Sequence, residues 1–175
     1  MVLYTIGHSN HPIKRFLRLL VDHGIQCLAD VRTTPYSRFN PQFNRAALQN
    51  TLTQQGINYE YLGAELGGKP SDPGCYIHHT LPAKGADYLH EVDYAEVMKR
   101  PWFGQGIQQL LELANEHTTA ILCSEANPAM CHRHHLIACY LLVHTPDISV
   151  EHILKDGSLI EARSISILGD KPGAG

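Results

Sequence analysis

Short apolar runs alternate along this chain with segments whose apolar residues recur every three or four positions. Residues 2–6 form the first run and end in Gly7-His8-Ser9. Over residues 11–23, Ile13, Phe16, Leu17, Leu19 and Leu20 are interleaved with Lys14, Arg15 and Arg18. That is the period of an amphipathic helix, closed by Gly24. Residues 26–31 read as a second strand leading into Asp30-Val31-Arg32, and the Pro-, Ser- and Asn-rich stretch 33–41 as a loop. A helix is predicted over 43–55, with Gly56 after it, and a third strand over 57–62. Residues 63 to about 85 carry four Gly and three Pro before Gly85 and have no period. A segment of that length inside a domain points to function. Helices are predicted near 89–99 and 103–116, separated by Pro101. A fourth strand over 119–122 runs into Cys123-Ser124-Glu125. Asn127-Pro128 then supplies a helix start, Asn as cap and Pro at the first helical position, for a helix over about 129–143. A short strand near 148–154 and a hairpin turn at Asp156-Gly157 complete the pattern. Residues 171–175 read as a frayed tail after a single domain spanning 1–170.

Strands alternating with helices predict an α/β fold, a mostly parallel sheet of about five strands with helices on both faces. Right-handed crossovers place every parallel strand's carboxyl end on one edge. His8, Ser9, Arg32, Ser37, Cys123 and Glu125 are expected to gather there, where open α/β sheets bind ligands.

Composition narrows the partners. The 175 residues carry a formal net charge of −3, which argues against a general electrostatic grip on nucleic acid while leaving room for a local basic pocket. No apolar run approaches the roughly 18 residues of a membrane span. The first residues lack the pattern of a secretory signal. With five cysteines, an odd set, reduced thiols in a cytoplasmic protein are the expectation.

The densest chemistry is the stretch from Cys123 to Arg133: a thiol, the carboxylate of Glu125, the thiol of Cys131, the imidazole of His132 and the guanidinium of Arg133. Cys123 reads as a nucleophile or redox thiol, against the alternative of a small buried apolar residue. Phosphatase and rhodanese loops need a much shorter Cys-to-Arg spacing than the nine intervening residues found here, and Pro128 has no N–H to offer an anion. Cys131, expected in the first helical turn, lies four residues before His135. Cys123, Cys131 and His135 therefore form a conceivable metal set, weakened by the lack of a second compact ligand pair. A Cys123–Cys131 redox disulfide is a further alternative. Arg32 offers a fork for carboxylate or phosphate, or pairs with Asp30 or Glu125 as an ordinary ion pair. His8 suits proton transfer or a structural hydrogen bond. Ser9 or Asn10 can cap the following helix. Gly67 and Gly68 allow a close backbone approach. Tyr59, Tyr61 and Tyr76 can stack a base or fill the core. No Gly-x-Ser-x-Gly elbow, Gly-x-Gly-x-x-Gly fingerprint or Walker pattern is present.

Taken in order, Thr5-Ile6-Gly7-His8-Ser9, Asp30-Val31-Arg32 with Pro35 and Ser37, Leu66-Gly67-Gly68, and Cys123-x-Glu125 followed by Cys131-His132-Arg133 resemble the domain-of-unknown-function family 488. The resemblance spans residues 2 to about 154. It implies a shared site at these positions and supplies no substrate. The residues themselves suggest a small enzyme, a hydrolase or transferase, with an anion-binding pocket for a phosphorylated, nucleotide or nucleic-acid-end substrate. Arg32 and Arg133 hold the anion, assisted by Ser9, Ser37, Gly67, Gly68 and His132. His8 and Glu125 handle protons, and Cys123 or Cys131 is the nucleophile. The alternatives are a binding module without chemistry and a metal or redox protein using Cys123, Cys131 and His135.

Overall fold

In a computed structural model, residues 1–166 are described; the tail expected to fray, 171–175, lies outside them. Six strands form one sheet in the order β3-β2-β4-β1-β5-β6. They are β1 Val2–Gly7, β2 Cys27–Asp30, β3 Asn58–Tyr61, β4 Thr119–Cys123, β5 Ser149–Ile153 and β6 Leu159–Glu161. All neighbours are parallel except β5 and β6. The sixth strand, one more than the sequence predicts, is the second arm of the hairpin at 156–157, where Gly157 adopts φ +97°. A left-handed φ of this kind favours glycine.

The helices divide between the faces. Helix α1 (Ile13–Asp22) lays Phe16, Leu19 and Leu20 on one face, joined by Leu48 and Leu52 of α2 (Arg45–Gln54). After β3 come a one-turn helix α3 (Gly63–Leu66), then α4 (Tyr88–Glu91), α5 (Tyr94–Met98) and α6 (Pro101–Glu116). Phe103, Ile107 and Leu110 of α6 cover the opposite face with Leu136, Ile137 and Leu141. The helix predicted near 89–99 is two short turns. Val92 between them bridges to Tyr76, and Asp93 caps α5 by accepting from the Glu96 N–H. Pro101 does not separate helices; it is the first residue of α6, where a missing N–H leaves nothing unpaired. The cap of α1 is Pro12 rather than Ser9 or Asn10.

The stretch after β4 departs most from expectation. Asn127 caps only a single 3-10 turn, Pro128–Met130, and Cys131 is extended at φ −141° and ψ 139°. A π-helical segment, Arg133–Ala138, follows and passes into α7 (Cys139–His144). All six residues of the π segment are buried. Cys131 therefore lies outside any helix, and the four-residue spacing to His135 carries no shared helix face.

Beyond β2 the chain turns toward the α1/α2 face; beyond β4 it turns toward the α6/α7 face. These adjacent parallel strands thus form a topological switch point, and the crevice outside their carboxyl ends is the ligand-binding position of such sheets.

Candidate active site

The crevice holds a cavity of about 460 Å³ lined by Arg32, Lys69, Cys123, Glu125, Cys131 and His132, with Thr33, Thr34 and Ser124 adding polar atoms. Gly68, the second glycine of the Leu66-Gly67-Gly68 motif, lines it too, and Tyr36, Tyr88, Leu89, Tyr94 and Met130 complete its wall.

Glycine lets the loop after β4 seat itself. A Cβ on Gly7 would fall 1.8 Å from the Glu125 carbonyl oxygen. With only a hydrogen there, the His8 N–H donates to the Cys123 carbonyl and the Ser9 N–H to the Ser124 carbonyl, each at 2.9 Å. Ser9 takes φ 45° to do so. The Gly7-His8-Ser9 motif therefore acts through its backbone, and neither His8 nor Ser9 lines the cavity.

Arg133 holds the same loop from below. It is fully buried; Nε donates to Thr5 Oγ1 at 3.1 Å, Nη1 to the Glu125 carbonyl and Nη2 to the Ala126 carbonyl. Its fork is spent on backbone oxygens, so it supplies positive potential and position rather than a direct hold on an anion. Behind it, Thr5 Oγ1 lies 2.7 Å from His152 Nδ1, and His152 Nε2 lies 3.1 Å from His134 Nδ1. Burial pushes His152 down to about 3 and His134 down to about 4, so both rings are neutral near pH 7.

Cys123 ends β4 with its sulfur 3.6 Å from His132 Nδ1. The Cys131 sulfur is 3.9 Å from the same nitrogen. The three donor atoms lie within 4.8 Å of one another. The Cys123 thiol is lowered to about 7, by the Cys131 S–H first, then by Arg133 and the N–H groups of Glu125 and Ser124, against the opposing effect of burial. Burial and the neighbouring Cys123 push the Cys131 thiol up, keeping it protonated as donor. A thiolate stabilised by N–H groups and a buried guanidinium, beside an imidazole, is the microenvironment of a reactive cysteine. The trio also has soft-cation donor chemistry. His135 is not part of it, since its Nε2 bonds the Ala129 carbonyl at 2.8 Å.

Arg32 forms a buried ion pair with Asp30, Nε to Oδ1 at 2.8 Å, and Tyr59 donates to Asp30 Oδ2 at 2.7 Å. The remaining terminal nitrogen, Nη1, makes no hydrogen bond among the described residues. The ion pair with Asp30 that the sequence offered as one reading is present, and Arg32 also lines the cavity. Lys69 lines the same cavity, its ammonium 4.3 Å from the centre of the Tyr88 ring.

Other sequence candidates serve as supports. Ser37 accepts from the Asn40 N–H and pins the 33–44 loop. Gly67 packs on Thr33. His8 donates from Nδ1 to the Ser9 carbonyl, stacks on Phe43 at 4.4 Å between centres, and leaves Nε2 buried without a partner. Tyr59 and Tyr76 are core residues, and Tyr61 sits under Arg45, so none of the three stacks a ligand in the cavity. Lys69, Tyr36, Tyr88 and Tyr94 also line the cavity, and the sequence pattern singled out none of the four as site residues.

A family model described as "Domain of unknown function DUF488" matches residues 12–141. The chain belongs to this family. No curated protein and no solved structure matches it. The DUF488 match covers β2, β4 and the two loops that build the cavity, and it carries no activity with it. Among the described residues, no helix is long and apolar enough to cross a membrane.

Proposed function

We propose that this DUF488 protein is a thiol-dependent hydrolase or transferase acting on a substrate with an anionic group, of the phosphorylated, nucleotide or nucleic-acid-end class. The observation that carries the reading is Cys123 Sγ at 3.6 Å from His132 Nδ1 in a cavity also lined by Arg32 and Lys69. The Arg32 Nη1 and the Lys69 ammonium bind the anion and orient the substrate. The Cys123 thiolate attacks the electrophilic centre; the bond to the leaving group breaks, and the proton shared with His132 leaves with it. His132 or Glu125 then takes a proton from water or an acceptor, whose oxygen displaces Cys123 and restores the thiolate.

Turnover over a panel of phosphorylated and nucleotide compounds tests this. Cys123→Ser is expected to lower kcat by about four to six orders of magnitude, as loss of a nucleophile does. Lys69→Met is expected to raise KM by roughly tenfold, the worth of one charge-assisted bond. Turnover unchanged in Cys123→Ser contradicts the reading. Salt-dependent binding without turnover, weakened in Lys69→Met, identifies a binding module instead.

A further inference from the structure

We propose that Cys123 and Cys131 form a peroxide-responsive modification site in which Cys131 is the resolving thiol, closing a reversible disulfide with Cys123 across the cavity wall. The proposal rests on the reading of Cys123 as a reactive thiolate and adds a second fate for it.

The geometry supplies both halves. The two sulfurs lie near the same nitrogen of His132, at 3.6 and 3.9 Å from Nδ1, and within 4.8 Å of each other. Both cysteines line the cavity, so a small hydroperoxide that reaches one reaches the pair. Cys27, Cys75 and Cys139 do not line it. Cys131 is extended, and its sulfur lies within 4.8 Å of that of Cys123 at the end of β4. In the helical turn predicted from sequence, Cys131 would have been carried along a helix away from the strand end. Arg133 and the Asn127-Pro128 turn anchor the intervening loop, so closure needs side-chain rotation and a small backbone adjustment rather than unfolding.

The chemistry closes without a bound cofactor. The Cys123 thiolate attacks one oxygen of the hydroperoxide, the O–O bond breaks, and the alcohol leaves after taking a proton. Cys123 becomes a sulfenic acid. Cys131 gives up its proton and attacks the sulfenyl sulfur; the S–O bond breaks, and hydroxide leaves as water with that proton. Two thiols lose two electrons and the peroxide gains them. An external dithiol reverses the step. The lowered Cys123 thiol, near 7, keeps the attacking form populated at neutral pH. While the disulfide stands, the nucleophile is masked and protected from irreversible oxidation.

The test treats the reduced full-length protein with one equivalent of hydrogen peroxide, blocks remaining thiols and maps the tryptic peptide 100–133, which contains both cysteines. The expected product in wild type is that peptide short of two hydrogens, with thiols regained on dithiothreitol. Cys131→Ser is expected to trap dimedone on Cys123 and, without dimedone, to run on to the sulfinic acid. Sulfenic or sulfinic Cys123 beside reduced Cys131 in wild type overturns the resolving role. Iodoacetamide on the same preparation separates the failures. A Cys123 that alkylates but never pairs defeats the disulfide alone. One that neither alkylates nor oxidises defeats the reading beneath it as well.

Discussion

Gly68 lies flat against the ring of His132: a Cβ at this position would stand 2.7 Å from both Cγ and Nδ1 of the imidazole. The second glycine of the Leu66-Gly67-Gly68 motif is thus a wall that sets where His132 sits relative to Cys123. It packs against the His132 ring and, together with that ring, lines the cavity. Gly68 and His132 are both half-buried, and Gly68→Ala must displace the ring, at a cost toward the low end of the roughly 1–3 kcal/mol of an overpacked site. The expected outcome is a modest fall in melting temperature and a larger fall, roughly tenfold, in the rate at which Cys123 alkylates at pH 7. A change in melting temperature with reactivity intact would show that the ring's position is irrelevant to the thiol.

Arg32 and Asp30 behave as one unit. Both are buried, and Tyr59 completes the coordination of the carboxylate. Arg32→Met leaves Asp30 charged and unpaired and is expected to destabilise the fold by about 3–5 kcal/mol in urea titration. Arg32→Met/Asp30→Asn is expected to recover much of that stability without recovering substrate affinity. That split separates the structural from the binding half of the arginine's role.

Arg133 has a different signature. Its donors go to Thr5 and to the carbonyls of Glu125 and Ala126. Arg133→Lys keeps the charge and loses the fork, so the 124–126 loop loosens and the Cys123 thiol moves back toward the ordinary range. The expected readout is a shift of the alkylation profile to higher pH, with KM for the anionic substrate changed less than kcat. A KM effect alone would return Arg133 to the anion-binding role its sequence position suggests.

Acid should weaken the fold over a defined window. His8, His134 and His152 are buried with folded-state values of about 4, 4 and 3, each lowered first by burial. An unfolded histidine titrates near 6.5, so below that pH the unfolded chain binds protons that the folded chain refuses. Their stabilisation is complete above about pH 6.5 and is lost as pH falls toward 4. Between pH 7.5 and 5 each group contributes about 1–2 kcal/mol of lost stability, less for the adjoining His134 and His152. Urea midpoints at those two values measure it; a flat profile would mean that the histidines find charged partners in the folded state.

Local pattern carried the strands well. The apolar runs at 2–6, 26–31 and 119–122 end within a residue or so of β1, β2 and β4, because a parallel strand buried on both faces must be continuously apolar. The hairpin at Asp156-Gly157 was legible from its turn residues. The path of residues 127–133 was not. Asn127-Pro128 is a good helix start by local rules, yet Cys131 is extended because the loop is held by Arg133, Gly7 and the Cys123–His132 contact, all set by the tertiary fold. For the same reason sequence paired Cys131 with His135, whereas the structure places His132 beside both thiols. A guanidinium's spacing cannot tell a carbonyl clamp from an anion fork, and nothing periodic marks Lys69 or Tyr94 as neighbours of Cys123.

The proposed chemistry depends on Cys123 being a thiolate at neutral pH. Its alkylation rate by iodoacetamide as a function of pH, followed site by site by mass spectrometry, measures this directly. The predicted profile for Cys123 reaches half its maximum near pH 7, while Cys27, pushed up to about 11 by burial, stays unreactive. A Cys123 that reacts no faster than a free thiol, with its midpoint at about 8.5 or above, would contradict the account.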